Sequence, residues 1–221
     1  ASRVRSYLRS MYRDFIRSGE LILTINGEVI EFRDPNWLFA PYWPTDKGPQ
    51  SSSDLKWTKE FEFTLDESFQ ESPNLDVPPV IRGKVGILDK GDTKRAGLSL
   101  IWRRKVVQGA GNLADSPDDL YRPAMIYGGS NSFERQRIIG EIDVSDLKVT
   151  SFKDSVVWQE DQEEELLKKL KEVLSADDLP ILKMARNYRA RTVSEQQNYI
   201  AKEALADVTA RMATSLQNSL Q

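Results

Sequence analysis

Arg137-Ile138-Ile139-Gly140-Glu141-Ile142-Asp143-Val144, followed shortly by Thr150-Ser151-Phe152-Lys153-Asp154, is the stretch on which the fold turns. Its first part is apolar and β-branched, a composition that suits a pleated, half-buried strand. A short polar turn follows, and one lysine, Lys153, stands just before an acidic helix. Such an arrangement offers a single positive charge to something beyond the sheet edge.

Upstream of that strand, the alternation in Val80 to Leu88 predicts another strand. Gly97-Leu98-Ser99-Leu100-Ile101-Trp102 pairs with Lys105-Val106-Val107 across Arg103-Arg104, a hairpin with a charged tip. Trp57, Lys59, Phe61, Phe63 and Leu65 occupy alternate positions and predict one more strand. Asn26-Gly27 between Leu21–Ile25 and Val29–Phe32 is a tight hairpin turn. At the start of the chain, Val4, Tyr7, Leu8, Met11, Tyr12, Phe15 and Ile16 recur at helical spacing and predict one amphipathic helix ending near Gly19. Arg5, Arg9, Arg13 and Arg17 run beside that face. They read as a solvated stripe with Asp14 and Glu20 as partners.

Residues 34–54 combine Pro, Gly and Ser with Trp37, Phe39, Tyr42 and Trp43, and read as a long loop fastened by its aromatics. Residues 109–132 are rich in loop formers. Downstream, Leu166, Leu167, Leu170, Val173 and Leu174 define an amphipathic helix whose acidic start suits the helix dipole. Asp177-Asp178 before Pro180 predicts a second, short helix. Ser194 with Gln197 resembles a capping box for a third that runs to about Leu220. The expected fold is α+β: a mixed, mainly antiparallel sheet with helices on one face, followed by a helical C-terminal tail. Residues 1–174 form the body and 175–221 the extension.

Composition excludes much chemistry. The 221 residues contain no Cys and no His, which removes disulfides, thiolate or imidazole metal centres, Cys nucleophiles and Ser-His-Asp triads. A net charge of −3 argues against a wholly basic nucleic-acid module. There is no long apolar run and no export-type leader, so a cytoplasmic chain with no membrane partner is expected. An opening that already reads as mid-helix suggests a piece of a longer protein.

The order of these elements resembles the second, transducer domain of MORC-type ATPases, members of the GHKL group that also holds gyrase, MutL and the large heat-shock chaperones. Four anchors carry the resemblance, which covers about residues 2–174. Ser2 to Leu8 with Leu21 to Val29 is similar to the arginine-bearing helix and first hairpin. Ala96 to Gly109 is similar to a G-x-x-x-I-x-x-N-R-x-I hairpin, with Arg104 at the expected arginine. Ile138 to Val144 is similar to a V-V-G-x-I-x-V strand, and Thr150 to Asp154 to a P-T-H-N-K-Q-D-F loop. The departures are Phe152 in place of the loop His, Val156 where an aromatic follows, and the missing long insertion of animal relatives. The chain also has neither a Glu-x-x-x-Asn helix nor an Asp-x-Gly-x-Gly turn.

The resemblance implies a ribosomal-protein-like, GHKL-transducer-like fold. It implies that ATP and Mg²⁺ are held by an upstream ATP-binding domain, and that Lys153 reaches their terminal phosphate. A pre-placed ammonium stabilises charge on a phosphoryl group in a water-poor site. The chain alone would then not bind ATP well, while the full-length protein hydrolyses it and couples it to movement or closure of a homodimer. The alternative is a nucleic-acid- or protein-binding adaptor using Arg103, Arg104, Lys105, Arg5, Arg9 and Arg13, to which the DNA association of MORC relatives adds weight.

Other groupings read as ordinary structure. Gly109-Ala110-Gly111 and Gly128-Gly129 read as turns rather than phosphate loops. Asp115, Asp118 and Asp119 read as a solvated loop rather than a cation site. Glu60 and Glu62 fall on the polar face of their strand.

Overall fold

Alternation in the sequence becomes a five-stranded sheet in the computed structural model, which describes residues 2–42, 54–69, 77–110 and 120–188, together with residues 201, 205, 208, 209 and 212. Two short ladders come first: β1 (Thr24–Ile25) with β2 (Glu28–Val29), and β3 (Phe39–Ala40) with β4 (Leu55–Lys56). The main sheet contains β5 (Thr58–Thr64), β6 (Val80–Ile87), β7 (Gly97–Trp102), β8 (Lys105–Gln108) and β9 (Ile138–Asp143). Its order is β5-β6-β9-β7-β8. Only β7 and β9 are parallel; the other three pairings are antiparallel. The mixed, mainly antiparallel α+β expectation holds. The quoted stretch supplies the central strand, which explains its near-continuous apolar character.

Register sorts the side chains by face. Phe61, Phe63, Ile81, Val85, Ile138, Ile142, Leu98 and Leu100 share the main core with helix α5 (Gln162–Ser175) and helix α6 (Ile181–Asn187). Leu166, Leu170, Leu174, Ile181 and Met184 are fully buried there, along with Tyr127 of the short helix α3 (Ala124–Tyr127). Helix α4 (Glu134–Arg137) leads directly into β9, and its Glu134 accepts from Arg186 Nε of α6 at 2.8 Å. Lys59 Nζ reaches Asp178 at 2.5 Å, tying the sheet to the turn between α5 and α6.

Helices occupy both faces, where the sequence predicted one. The chain start forms α1 (Ser2–Met11) and α2 (Arg13–Arg17), separated at Tyr12 rather than continuous. These lie on the opposite face, beside Glu141. The residues that the first two helices bury most completely are Ser10 and Arg13, while Val4 is 59% exposed. The apolar stripe was the wrong guide because polar partners wait on the sheet: Ser10 Oγ donates to Ala110 O at 2.6 Å.

The aromatic loop is fastened as expected over its described part. Trp57 Nε1 donates to Ala40 O, and Tyr42 packs on Trp57 with ring centroids 5.7 Å apart. Asn26 and Gly27 both have positive φ, as a type I′ turn demands. Trp43, the Asp115–Asp119 cluster and the Ser194–Gln197 capping box lie outside the described residues. Of the third tail helix, residues 201, 205, 208, 209 and 212 are helical.

Candidate functional site

Lys153 sits at the tip of a small, closed loop that leaves β9. Val149 and Val156 bridge its base, Thr150 N donates to Ser155 O at 3.0 Å, and Val157 N to Lys148 O at 2.8 Å. Leu147 and Val156 bury that base in the core. At the tip, Lys153 N donates to Thr150 O at 2.9 Å, and Lys153 takes φ +55°, in the left-handed region. Asp154 is engaged locally, its Oδ1 accepting from Thr150 Oγ1 at 2.6 Å.

The Lys153 ammonium stays exposed and rests over the ring of Trp102, 5.2 Å from its centroid. Arg103 lies against the same ring, its guanidinium carbon 4.5 Å from the centroid. Lys105 Nζ donates to Lys153 O at 3.2 Å. The loop and the β7–β8 hairpin tip therefore assemble three cations around one tryptophan. Among the described residues none of the three forms an ion pair. Phe152, beside them, is 86% exposed.

Two central residues of that hairpin, Arg103 and Arg104, have positive φ, at 47° and 72°. This is again type I′ geometry, which bulky side chains occupy at a cost that Asn or Gly would avoid. The two arginines diverge. Arg104 turns back to α2: its Nε donates to Asp14 Oδ2 at 2.5 Å, Nη1 to both Glu20 oxygens, and Nη2 to Ser18 Oγ at 2.9 Å. It also covers the ring of Phe15. Hydrogen bonds first to Asp14 and then to Glu20 hold its guanidinium above the ordinary arginine range. Glu20 thus serves Arg104, while Asp14 serves Arg104 and also pairs, as expected, with Arg17 at 3.7 Å.

The proposed arginine stripe does not form one surface. Arg13 is fully buried; its Nε donates to Glu141 Oε1 at 2.6 Å and its Nη1 to Ser10 O and Oγ at 3.2 Å. Burial pulls its guanidinium below the usual arginine value, against the pull of the Glu141 charge. Arg17 donates to Glu141 and to Asp34. Arg5 pairs with Glu28 at 2.5 Å, and Arg9 is half-buried. A solvated reading was wrong for Arg13 because Glu141, half-buried mid-strand, compensates its charge. Of the residues assigned to an adaptor surface, Arg103 and Lys105 join Lys153, while Arg5, Arg13 and Arg104 are held in ion pairs within the fold.

Sequence reasoning missed Trp102 as the organising ring and Glu141 as an arginine partner. Both left a signal: Trp102 directly precedes the cationic tip, and Glu141 is an acid at the centre of an apolar run. Glu60 and Glu62 lie on the open strand face as read, paired with Lys84 and Arg82. Gly128, at φ +60°, closes α3 as a turn. Among the described residues no acidic cluster could hold a metal ion, and no described helix is long and apolar enough to cross a membrane. No family model matches the sequence, and no curated protein matches it.

Proposed function

We propose that this chain is the transducer-like domain of a GHKL-type ATPase. In this reading Lys153 answers to the terminal phosphate of ATP, which a separate, preceding domain holds with Mg²⁺. The protein then works in the cytoplasm, and ATP-driven closure of a homodimer is its output.

One observation carries the proposal. A lysine occupies a left-handed backbone position at the tip of a firmly based loop, with its ammonium exposed and parked on Trp102. A non-glycine residue there costs about 1–2 kcal/mol of local strain. Strain of that kind persists where the side chain is needed. A cation held by a ring rather than by a carboxylate is easily released, since cation–π contacts at exposed sites contribute only about 0.5–1 kcal/mol. A compact charge on a flexible stem suits reach toward a neighbouring domain.

The test uses the protein joined to its ATP-binding domain. Lys153→Ala lowers ATP turnover by about 10²-fold, the effect of removing one preorganised charge stabiliser. Unchanged turnover together with unchanged ATP-driven closure rejects the proposal.

A second reading draws on Arg103, Lys105 and Phe152 beside Lys153: an adaptor for DNA or another nucleic acid. Three phosphate contacts would give a salt slope of only about −2.7 on duplex DNA, so this surface binds weakly at physiological salt. That weakness favours the first reading. Tight, salt-steep DNA binding by this chain alone would reverse the order.

A further inference from the structure

On the sheet face away from the main core, α2 and the start of the aromatic loop roof a cleft of about 270 Å³. Its walls include Arg13, Arg17, Lys56, Lys84, Trp37 and Glu141, with Asp34 at the side. Four cations face two carboxylates, an excess of two positive charges. Glu60 holds Lys84 from outside at 3.2 Å, but its side chain is 78% exposed and water screens it.

Arg13 supplies the second, independent observation. Its side chain is wholly buried, and its Nε and Nη1 are engaged by Glu141 and Ser10. Its Nη2 has no hydrogen-bond partner among the described residues. A buried guanidinium nitrogen without an acceptor is rare in native structures and calls for a ligand, ion or water. Both Glu141 oxygens are already taken by Arg13 and Arg17. An acceptor supplied by a bound molecule would complete the hydrogen bonding of Arg13 Nη2.

The geometry points to a binding site in this cleft for the phosphate group of a small molecule. A phosphate dianion matches the twofold charge excess and accepts from a guanidinium fork with charge-assisted bonds. The volume sits just under the usual range of about 300–1,000 Å³ for organic ligands, so it fits a phosphate or a short phosphorylated compound rather than a polymer. Trp37, half-buried over Gly86, gives an attached planar group a flat wall. The site shares no residue with the Lys153 rim and stands whether or not that rim meets ATP.

Calorimetric titration of the full chain with inorganic phosphate, pyrophosphate, a nucleoside monophosphate and succinate tests this. Saturable 1:1 binding of at least one phosphate compound, over succinate at equal ionic strength, is expected. Preference for the monophosphate over inorganic phosphate would assign the wall to a base, and the reverse would assign the cleft to the free anion. The Lys56→Gln, Lys84→Gln double variant, at an exposed and a half-buried position, lowers that affinity by about tenfold or more, the loss of two charge-assisted contacts. Lys153→Gln leaves it unchanged. Absence of saturable binding, equal binding of succinate, or affinity that survives the double variant overturns the assignment.

Discussion

Arg13 Nε lies 2.6 Å from Glu141 Oε1, so one buried guanidinium locks the N-terminal helices to the central strand of the sheet. Removing one partner of such a pair leaves an uncompensated charge. Glu141→Ala should cost about 3 kcal/mol, the low end for breaking a buried pair, because the Glu141 side chain is itself 30% exposed. Urea unfolding with an unchanged m value measures it.

The same residue sets an acid limit. Burial alone would raise the Glu141 carboxyl, but Arg13 and the hydrogen bonds of Arg17 overcome it and hold the carboxyl below its usual value. Its stabilising contribution is complete above the unfolded carboxylate value of about 4.3 and is lost as pH falls through the lower folded value. Glu141→Gln should flatten the stability–pH curve in that acid window. An unchanged curve would detach Glu141 from acid unfolding.

Lys153 is strained where glycine would not be. Lys153→Gly should gain about 0.5–1 kcal/mol, the left-handed penalty of about 1–2 kcal/mol less the extra freedom of an unfolded glycine. Lys153→Ala should gain nothing. Equal stability of the two variants in thermal unfolding would mean that the tip carries no strain.

Gly86 lies beneath Trp37. A Cβ there would stand 2.6 Å from Trp57 O and 2.8 Å from Trp37 Cε3, and the first of these is backbone that cannot step aside. Gly86→Ala should destabilise by about 1–3 kcal/mol through overpacking. Trp37 fluorescence should change with it, observed in a Trp102→Phe background to limit overlap.

Arg104 fastens the hairpin to α2 through Asp14, Glu20 and Ser18. Arg104→Met should free residues 13–20, seen as faster amide exchange there while the amides of β6 and β9 keep their protection. Uniform loss of protection would instead make Arg104 a determinant of the whole fold.

Strands were legible wherever side chains alternate, as in Trp57 to Leu65, and turns wherever backbone chemistry is restrictive, as at Asn26-Gly27. Their order in the sheet was not, because nothing local in Ile138 to Val144 says that it inserts between β6 and β7. The N-terminal helices misled for a physical reason: helical spacing identifies apolar faces, and these helices bury Ser10 and Arg13 against acceptors 100 residues away in one case and supplied by β9 in the other. The cationic loop was visible as residue types. The ring that gathers it was not, since Lys153 and Trp102 meet only through the fold.

Insertion of β9 between β6 and β7 has a consequence for how the chain comes together. Until residues 138–143 arrive, the β5–β6 and β7–β8 ribbons share no edge, and each is a two-stranded piece of marginal stability. Assembly of the sheet thus waits on a keystone strand, and chains truncated before it should stay protease-sensitive within β5–β6 and β7–β8.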